Sequence, residues 1–198
     1  MTEPGQNPHS HGAVDVLAEV ESSLADLLGA QPDRASVSFV GVEPMQVLRF
    51  DTGALVSYVT LGMSRRAMAD SDSMMISDAG PRAELLLQVR GDAGDAWQRL
   101  AVLAAAPVVE GVVYAAGMTV DLGVPFGRAS RCTGGVIVAS ALPVIAATIG
   151  PVEVLRVLPA TSTELAWARV HGSSSLTEKW DLRGTDLTDL QRPAVGLD

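Results

Sequence analysis

The sequence predicts an α+β fold: a single domain with a mixed, mostly antiparallel sheet flanked by helices. Three observations carry this. Segments with helical spacing and segments with strand alternation follow one another in mixed order, not as a strict βαβ repeat. A turn signal, Asp51-Thr-Gly53, sits between two alternating segments and predicts a hairpin. The chain has 198 residues, 47% of them hydrophobic, with no internal repeat or linker, which fits one well-filled core.

The elements follow in order. Residues 1–12, with Pro4, Gly5, Pro8, His9 and His11, read as a disordered leader, and the domain is expected over 13–183. Val14, Leu17, Val20, Leu24, Leu27 and Leu28 have helical spacing, and Gly29 and Pro32 stop the helix. Residues 36–40 and 46–50 alternate as strands, and 54–61 returns after the turn. Residues 62–81 read as a long irregular loop holding Met63, Met68, Met74, Met75, Arg65 and Arg66. Residues 83–90 form a strand with an apolar Leu85-Leu-Leu87 run.

Asp92 is placed to cap a helix that begins near Gly94 and buries Trp97, Leu100, Ala101 and Ala104, and Pro107 is expected to end it. Residues 108–117 favour neither element. Strands are expected at 118–122, 135–140 and 152–158, the last central because it is apolar on both sides. Between the first two lies a glycine-rich stretch with Arg128, Arg131 and Cys132, and residues 141–149 show no clear period. Thr161-Ser-Thr-Glu164 fits a capping box, followed by a helix with Leu165, Trp167 and Ala168. Gly172 interrupts it, and a last helix near 174–182 carries Leu176 and Trp180. Residues 184–198 read as a loose polar tail.

Charge and composition exclude several function classes. The net charge of −9 repels phosphate backbones and anionic lipid, so neither nucleic acid nor a membrane is an expected partner. The lone Cys132 needs no oxidising compartment, and no basic-then-apolar leader or long apolar span appears, so a cytoplasmic location is expected. The lean use of Lys and Asn against Arg and Ala points to a bacterial, high-GC source.

No P-loop, G-x-G-x-x-G, C-x-x-C, H-E-x-x-H or G-x-S-x-G pattern is present. With three histidines, two of them in the leader, no metal or other cofactor is expected, and no catalytic set is assigned. Cys132 and His171 are the one candidate nucleophile–base pair. A buried structural thiol and a helix-end histidine are the plainer roles for those two types. The binding candidates are Arg65, Arg66 and Met63 in one loop and Arg128 and Arg131 in another. Guanidinium groups recognise carboxylates or phosphates, and methionines adapt to partner surfaces.

The residues so far singled out resemble the suppressor of fused domain family. The likeness lies in Tyr58-Val-Thr-Leu-Gly-Met-Ser64, a strand running into a T-x-G-x-S-like turn, and in Arg82-Ala-Glu-Leu-Leu-Leu87. It continues through the 97–107 helix, Gly117-Met-Thr-Val-Asp121, and the strand, proline and capped helix of 155–176. The resemblance spans about residues 14–182. It implies a protein-binding module, since the family's animal members sequester transcription factors and some bacterial relatives resemble immunity proteins of toxin systems. It implies no catalytic residues.

Two function classes stay open. One is a protein-binding module of this type, immunity-type or regulatory, whose acidic surface suits a basic partner. The other is a small-ligand-binding protein or enzyme using an arginine-lined cleft near Arg65, Arg66, Arg128 and Cys132. A homodimer through 108–117 and 136–149 is compatible with either.

Overall fold

A computed structural model describes residues 9–69, 80–91 and 93–198, with residues 9–15 described by backbone alone. In order these form α1 (His9–Leu28), β1 (Asp33–Phe39), β2 (Val42–Asp51), β3 (Val56–Leu61), a 3-10 turn (Met63–Arg65), β4 (Arg82–Val89) and α2 (Ala96–Glu110). Then come β5 (Thr119–Asp121), β6 (Cys132–Ala139), β7 (Ile145–Ala147), β8 (Gly150–Thr161), α3 (Ser162–His171) and α4 (Ser173–Leu182).

The eight strands form one sheet in the order β1-β2-β3-β4-β8-β6-β5, with β7 pairing on β8. Only β4 and β8 run parallel; every other pair is antiparallel. The expected β2–β3 hairpin forms. Asp51 opposes Val56, and the Asp51 carboxylate accepts from the Gly53 amide at 2.9 Å, with Gly53 at φ +82°.

Alternation along the strands sends neighbouring side chains to opposite faces. Tyr58, Leu85, Leu87 and Leu155 pack with Leu100 and Ala104 of α2 on one face. Val59, Leu61, Leu86 and Val154 pack with Val20 and Leu24 of α1 on the other. Beside them, Val136 and Leu158 pack with Leu165, Leu176 and Trp180 of α3 and α4. The sheet is therefore the middle of three layers, and β8 is central and buried on both sides, as its apolar sequence predicts.

Several expectations change. Residues 9–12, expected in the leader, are helical, because nothing but Gly12 interrupts the turn leading into Val14 and extending a formed helix costs little. Residues 1–8, Met74, Met75 and the expected cap Asp92 lie outside the described residues. Helix α2 starts at Ala96, and Pro107 lies inside it. A proline cannot bond the carbonyl four residues back, here that of Leu103. Tyr114 Oη donates to that oxygen at 2.8 Å, so the freed acceptor is satisfied and the helix runs on to Gly111, which closes it at φ +68°.

The residues after α4 are not a loose tail. Leu190, Arg192 and Val195 are buried, and the Leu190 carbonyl accepts from the Arg131 amide at 2.8 Å. The polar composition of 184–198 concealed this, because the segment docks through a few anchors and not through a periodic face.

Candidate functional site

Strand β5 ends the sheet: β6 pairs with it on one side, and no described strand pairs with it on the other. Glycine makes the β5–β6 approach possible. Gly134 opposes Asp121, and a Cβ there would collide with the Val120 carbonyl. The Met118 carbonyl accepts from Ile137 N at 2.8 Å and Leu122 N donates to the Thr133 carbonyl at 2.9 Å. Even positions of β5 thus face β6, and by strand alternation the amides and carbonyls of Thr119 and Asp121 face outward.

Along this edge lies a groove of about 360 Å³ between α2 and β5. Leu103, Ala106, Val112, Tyr114, Met118 and Val120 supply its apolar lining, and Glu110 and Asp121 its acidic rim. The same Tyr114–Leu103 bond that carries α2 past Pro107 fixes the groove wall. Burial pushes the Tyr114 phenol's pKa up, and the Glu110 charge adds to this, so its hydroxyl stays a donor. Asp121 is held below the usual carboxylate range by the Gly123 amide at 3.0 Å and by Arg169 at 2.7 Å. Sequence reasoning left 108–117 unassigned and so missed this groove; Tyr114, one of two tyrosines, seven residues after a helix proline, was the available signal.

The T-x-G-x-S turn has a role that the sequence did not reveal. Glu84 is fully buried, and its carboxylate collects that turn. Thr60 Oγ1 donates to it at 2.6 Å, the Gly62 amide at 2.8 Å, the Ser64 amide at 3.0 Å and Ser64 Oγ at 2.6 Å. Gly62 adopts φ +126°, open to glycine but not to a side chain. Arg82 Nη1 donates to the carbonyls of Ser64 and Arg65 at 3.0 and 2.9 Å, closing the turn from behind. A single carboxylate inside an otherwise apolar strand, Ala83 to Leu87, was the sequence signal for this arrangement.

That pinned turn places the first group of binding candidates. Met63 is buried in the α2-side core. Arg65 donates to the Pro44 carbonyl at 3.1 Å and lies 3.3 Å from Glu43, so it is engaged within the chain. Arg66 is exposed and lines a small cleft of about 90 Å³ with Val42, Glu43 and Val108.

Arg128 lies elsewhere, in a cleft of about 350 Å³ with Arg90, Asp95, Ser130 and Asp189. The Arg65 loop meets β4 at Arg82 and the Arg128 cleft meets it at Arg90, a strand of eight residues apart at about 3.3 Å each, roughly 26 Å. Arg131 is exposed and does not line that cleft. The single arginine-lined cleft of the alternative reading is therefore not formed, because its two loops leave opposite ends of one strand.

Cys132 lies in the core, where burial pushes its thiol up to about 11. His171 is exposed and stacks on Trp167 with ring centroids 4.3 Å apart. The two do not form a nucleophile–base pair.

The comparisons with known proteins agree with this architecture. The family model described as suppressor of fused protein (SUFU) matches residues 41–193. A SUFU homologue from Neisseria gonorrhoeae superposes with a TM-score of 0.72 at 19% identity, covering 93% of this chain and 99% of that one. A chain of the Sufu–Fu complex gives 0.69 at 11% identity, covering 91% of this chain and 92% of that one. Drosophila Suppressor of Fused gives 0.63 at 12% identity; 93% of this chain is covered and it spans 51% of that chain. No curated protein matches. The family model matches most of this chain's length and the sheet order agrees with the solved relatives, so the chain belongs to the suppressor of fused family.

Proposed function

We propose that this chain is a protein-binding module that takes an extended segment of its partner along β5. The observation that carries this is the unpaired edge of β5 beside an apolar groove. An added strand would bond the outward backbone groups of Thr119 and Asp121, and its alternate side chains would enter the groove. The acidic rim and the net charge of −9 favour a segment carrying a basic residue. A solved relative in complex with Fu supports a protein partner. Among the described residues no helix is long and apolar enough to cross a membrane. Within this reading the module serves a cytoplasmic bacterial role, as an immunity-type or regulatory binder.

Arg66 gives a second reading. It is held out by the Glu84-pinned turn beside Val108, which is 40% exposed, and this pairing of cation and apolar surface suits a carboxylate-bearing partner. Arg128 and Arg131 would serve a separate contact.

Affinity capture with mass spectrometry from the native bacterium tests both. Thr119→Pro removes one outward amide and leaves the β6 ladder intact. It is expected to weaken capture of the specific partner by about tenfold or more while the melting temperature holds. Arg66→Ala is expected to leave that capture unchanged. The reverse pattern selects the Arg66 surface and contradicts the β5 reading. Loss of self-association, and of nothing else, in Thr119→Pro would identify the bound segment as a second copy of the chain.

A further inference from the structure

Three segments far apart in sequence meet beyond the end of β4: the connection from β4 to α2, residues 127–130 ahead of β6, and residues 189–191 after α4. Backbone bonds tie them together. The Arg90 amide donates to the Thr188 carbonyl at 2.9 Å, and the Arg131 amide donates to the Leu190 carbonyl at 2.8 Å. Gly127 lets the second segment close on the first, since a Cβ there would lie 2.9 Å from the Ala93 carbonyl oxygen. Between them lies the Arg128 cleft of about 350 Å³, inside the usual span of ligand pockets, roughly 300–1,000 Å³. It shares no lining residue with the β5 groove.

The lining of this cleft is divided in its chemistry. Ala93 and Leu190 are buried and give it an apolar floor. Arg90 and Arg128 bring two positive charges and Asp95 and Asp189 two negative ones, so the lining is neutral on a chain of net charge −9. Arg90 is engaged with Asp186 at 2.7 Å, and Asp189 accepts from the Gln191 amide at 2.8 Å. Arg128 and Asp95 are exposed, and among the described residues they form no ion pair with each other or with a third group. An exposed charge without a partner is ordinary by itself. Here one of each sign borders the same preformed cleft, over an apolar floor, and that combination is complementary to a molecule carrying both signs.

We propose that this cleft is a binding site for a zwitterionic amino acid with an apolar side chain. Arg128 takes the α-carboxylate, whose two oxygens match the guanidinium fork. Asp95 and Asp189 take the α-ammonium, which donates to carboxylate oxygens. The side chain rests on Ala93 and Leu190. Ligands of a single sign fit less well. A dianionic phosphate meets two aspartates and the negative field of the whole chain, and a simple amine leaves Arg128 unbalanced.

The test is an amide spectrum of the full chain, titrated at constant ionic strength with L-leucine. Two analogues serve as controls: 4-methylpentanoate, which lacks the amine, and 3-methylbutylamine, which lacks the carboxylate. The amides of Gly94, Gly127 and Gln191 are expected to shift saturably with L-leucine and little with either analogue. Arg128→Ala and Asp95→Ala, both at exposed positions, are each expected to weaken L-leucine binding by about tenfold or more with the melting temperature of the free chain unchanged. No saturable shift at these amides overturns the site, whatever the variants do. An equal response to 4-methylpentanoate overturns the assignment to a zwitterion, and wild-type affinity in both variants overturns the roles of the two charges.

Discussion

Glu84 and Glu164 are both completely buried, and they are satisfied by different chemistry. Glu164 begins as the capping box, accepting from the Thr161 amide at 2.8 Å while its own amide donates to Thr161 Oγ1 at 3.3 Å. It then accepts from Trp180 Nε1 at 2.9 Å, Arg192 Nη1 at 2.7 Å and the Val195 amide at 3.0 Å. Burial opposes its ionisation, but the Arg192 guanidinium and the other donors outweigh burial and hold the carboxyl below its ordinary value. Removing the cation leaves a buried carboxylate unpaired. Arg192→Ala is therefore expected to cost about 3–5 kcal/mol in urea unfolding, far more than Arg66→Ala at the surface.

Glu84 has neutral donors in place of a cation, and burial, the largest influence, pushes its pKa up. The two signs differ. Glu164 contributes stability that is complete above the ordinary glutamate value and lost as pH falls through its lowered folded value. Glu84 contributes stability that is complete below the ordinary value and lost as pH rises through its raised folded value. Unfolding free energy measured between about pH 3 and pH 7 should therefore fall less steeply on the acid side in Glu164→Gln, with Asp121 and the other lowered carboxyls still contributing, and keep its full fall in Glu84→Gln. An unchanged acid limb in Glu164→Gln would refute the assignment.

At the scale of elements, α2 shows how one local exception builds a surface. Pro107 frees the Leu103 carbonyl, and Tyr114 meets it from the segment that leads into β5. Tyr114→Phe keeps the ring and leaves that carbonyl unsatisfied. It should cost about 1–2 kcal/mol and weaken partner capture together with stability. A variant with wild-type melting would show that the bond does not hold the groove.

The capping box, the hairpin turn and the central β8 were legible because each depends on residues close in sequence, such as Thr161 with Glu164. The continuation of α2 was not legible, since propensity treats Pro107 as a stop and the compensating hydroxyl lies seven residues on. Glu84 was missed for a similar reason. Its partners Thr60, Gly62 and Ser64 come from another strand and the turn after it, and only pairing of β3 with β4 brings them to it.

For the whole molecule, the sheet order decides where binding can occur. β8 and β4 are enclosed, the run of paired strands ends at β1 and β5, and the three-residue β7 pairs only with β8. The β1 edge is interrupted by a register shift between Val37 and Phe39, which twists a strand away from pairing. The β5 edge is short but opens onto an apolar groove with an acidic rim. The C-terminal segment docks at the start of β6, where the Leu190 carbonyl accepts from the Arg131 amide, and none of its residues lines that groove.

The proposed strand addition at β5 stands or falls on its backbone hydrogen bonds. Hydrogen exchange at single amides, measured with and without the captured partner, tests it most directly. Slowed exchange is expected at Thr119 and Asp121, whose amides face outward in the free chain, with Leu122, already bonded to Thr133, little changed. Unaltered exchange at Thr119 and Asp121 in a saturated complex, with new protection confined to residues around Arg66, would contradict it.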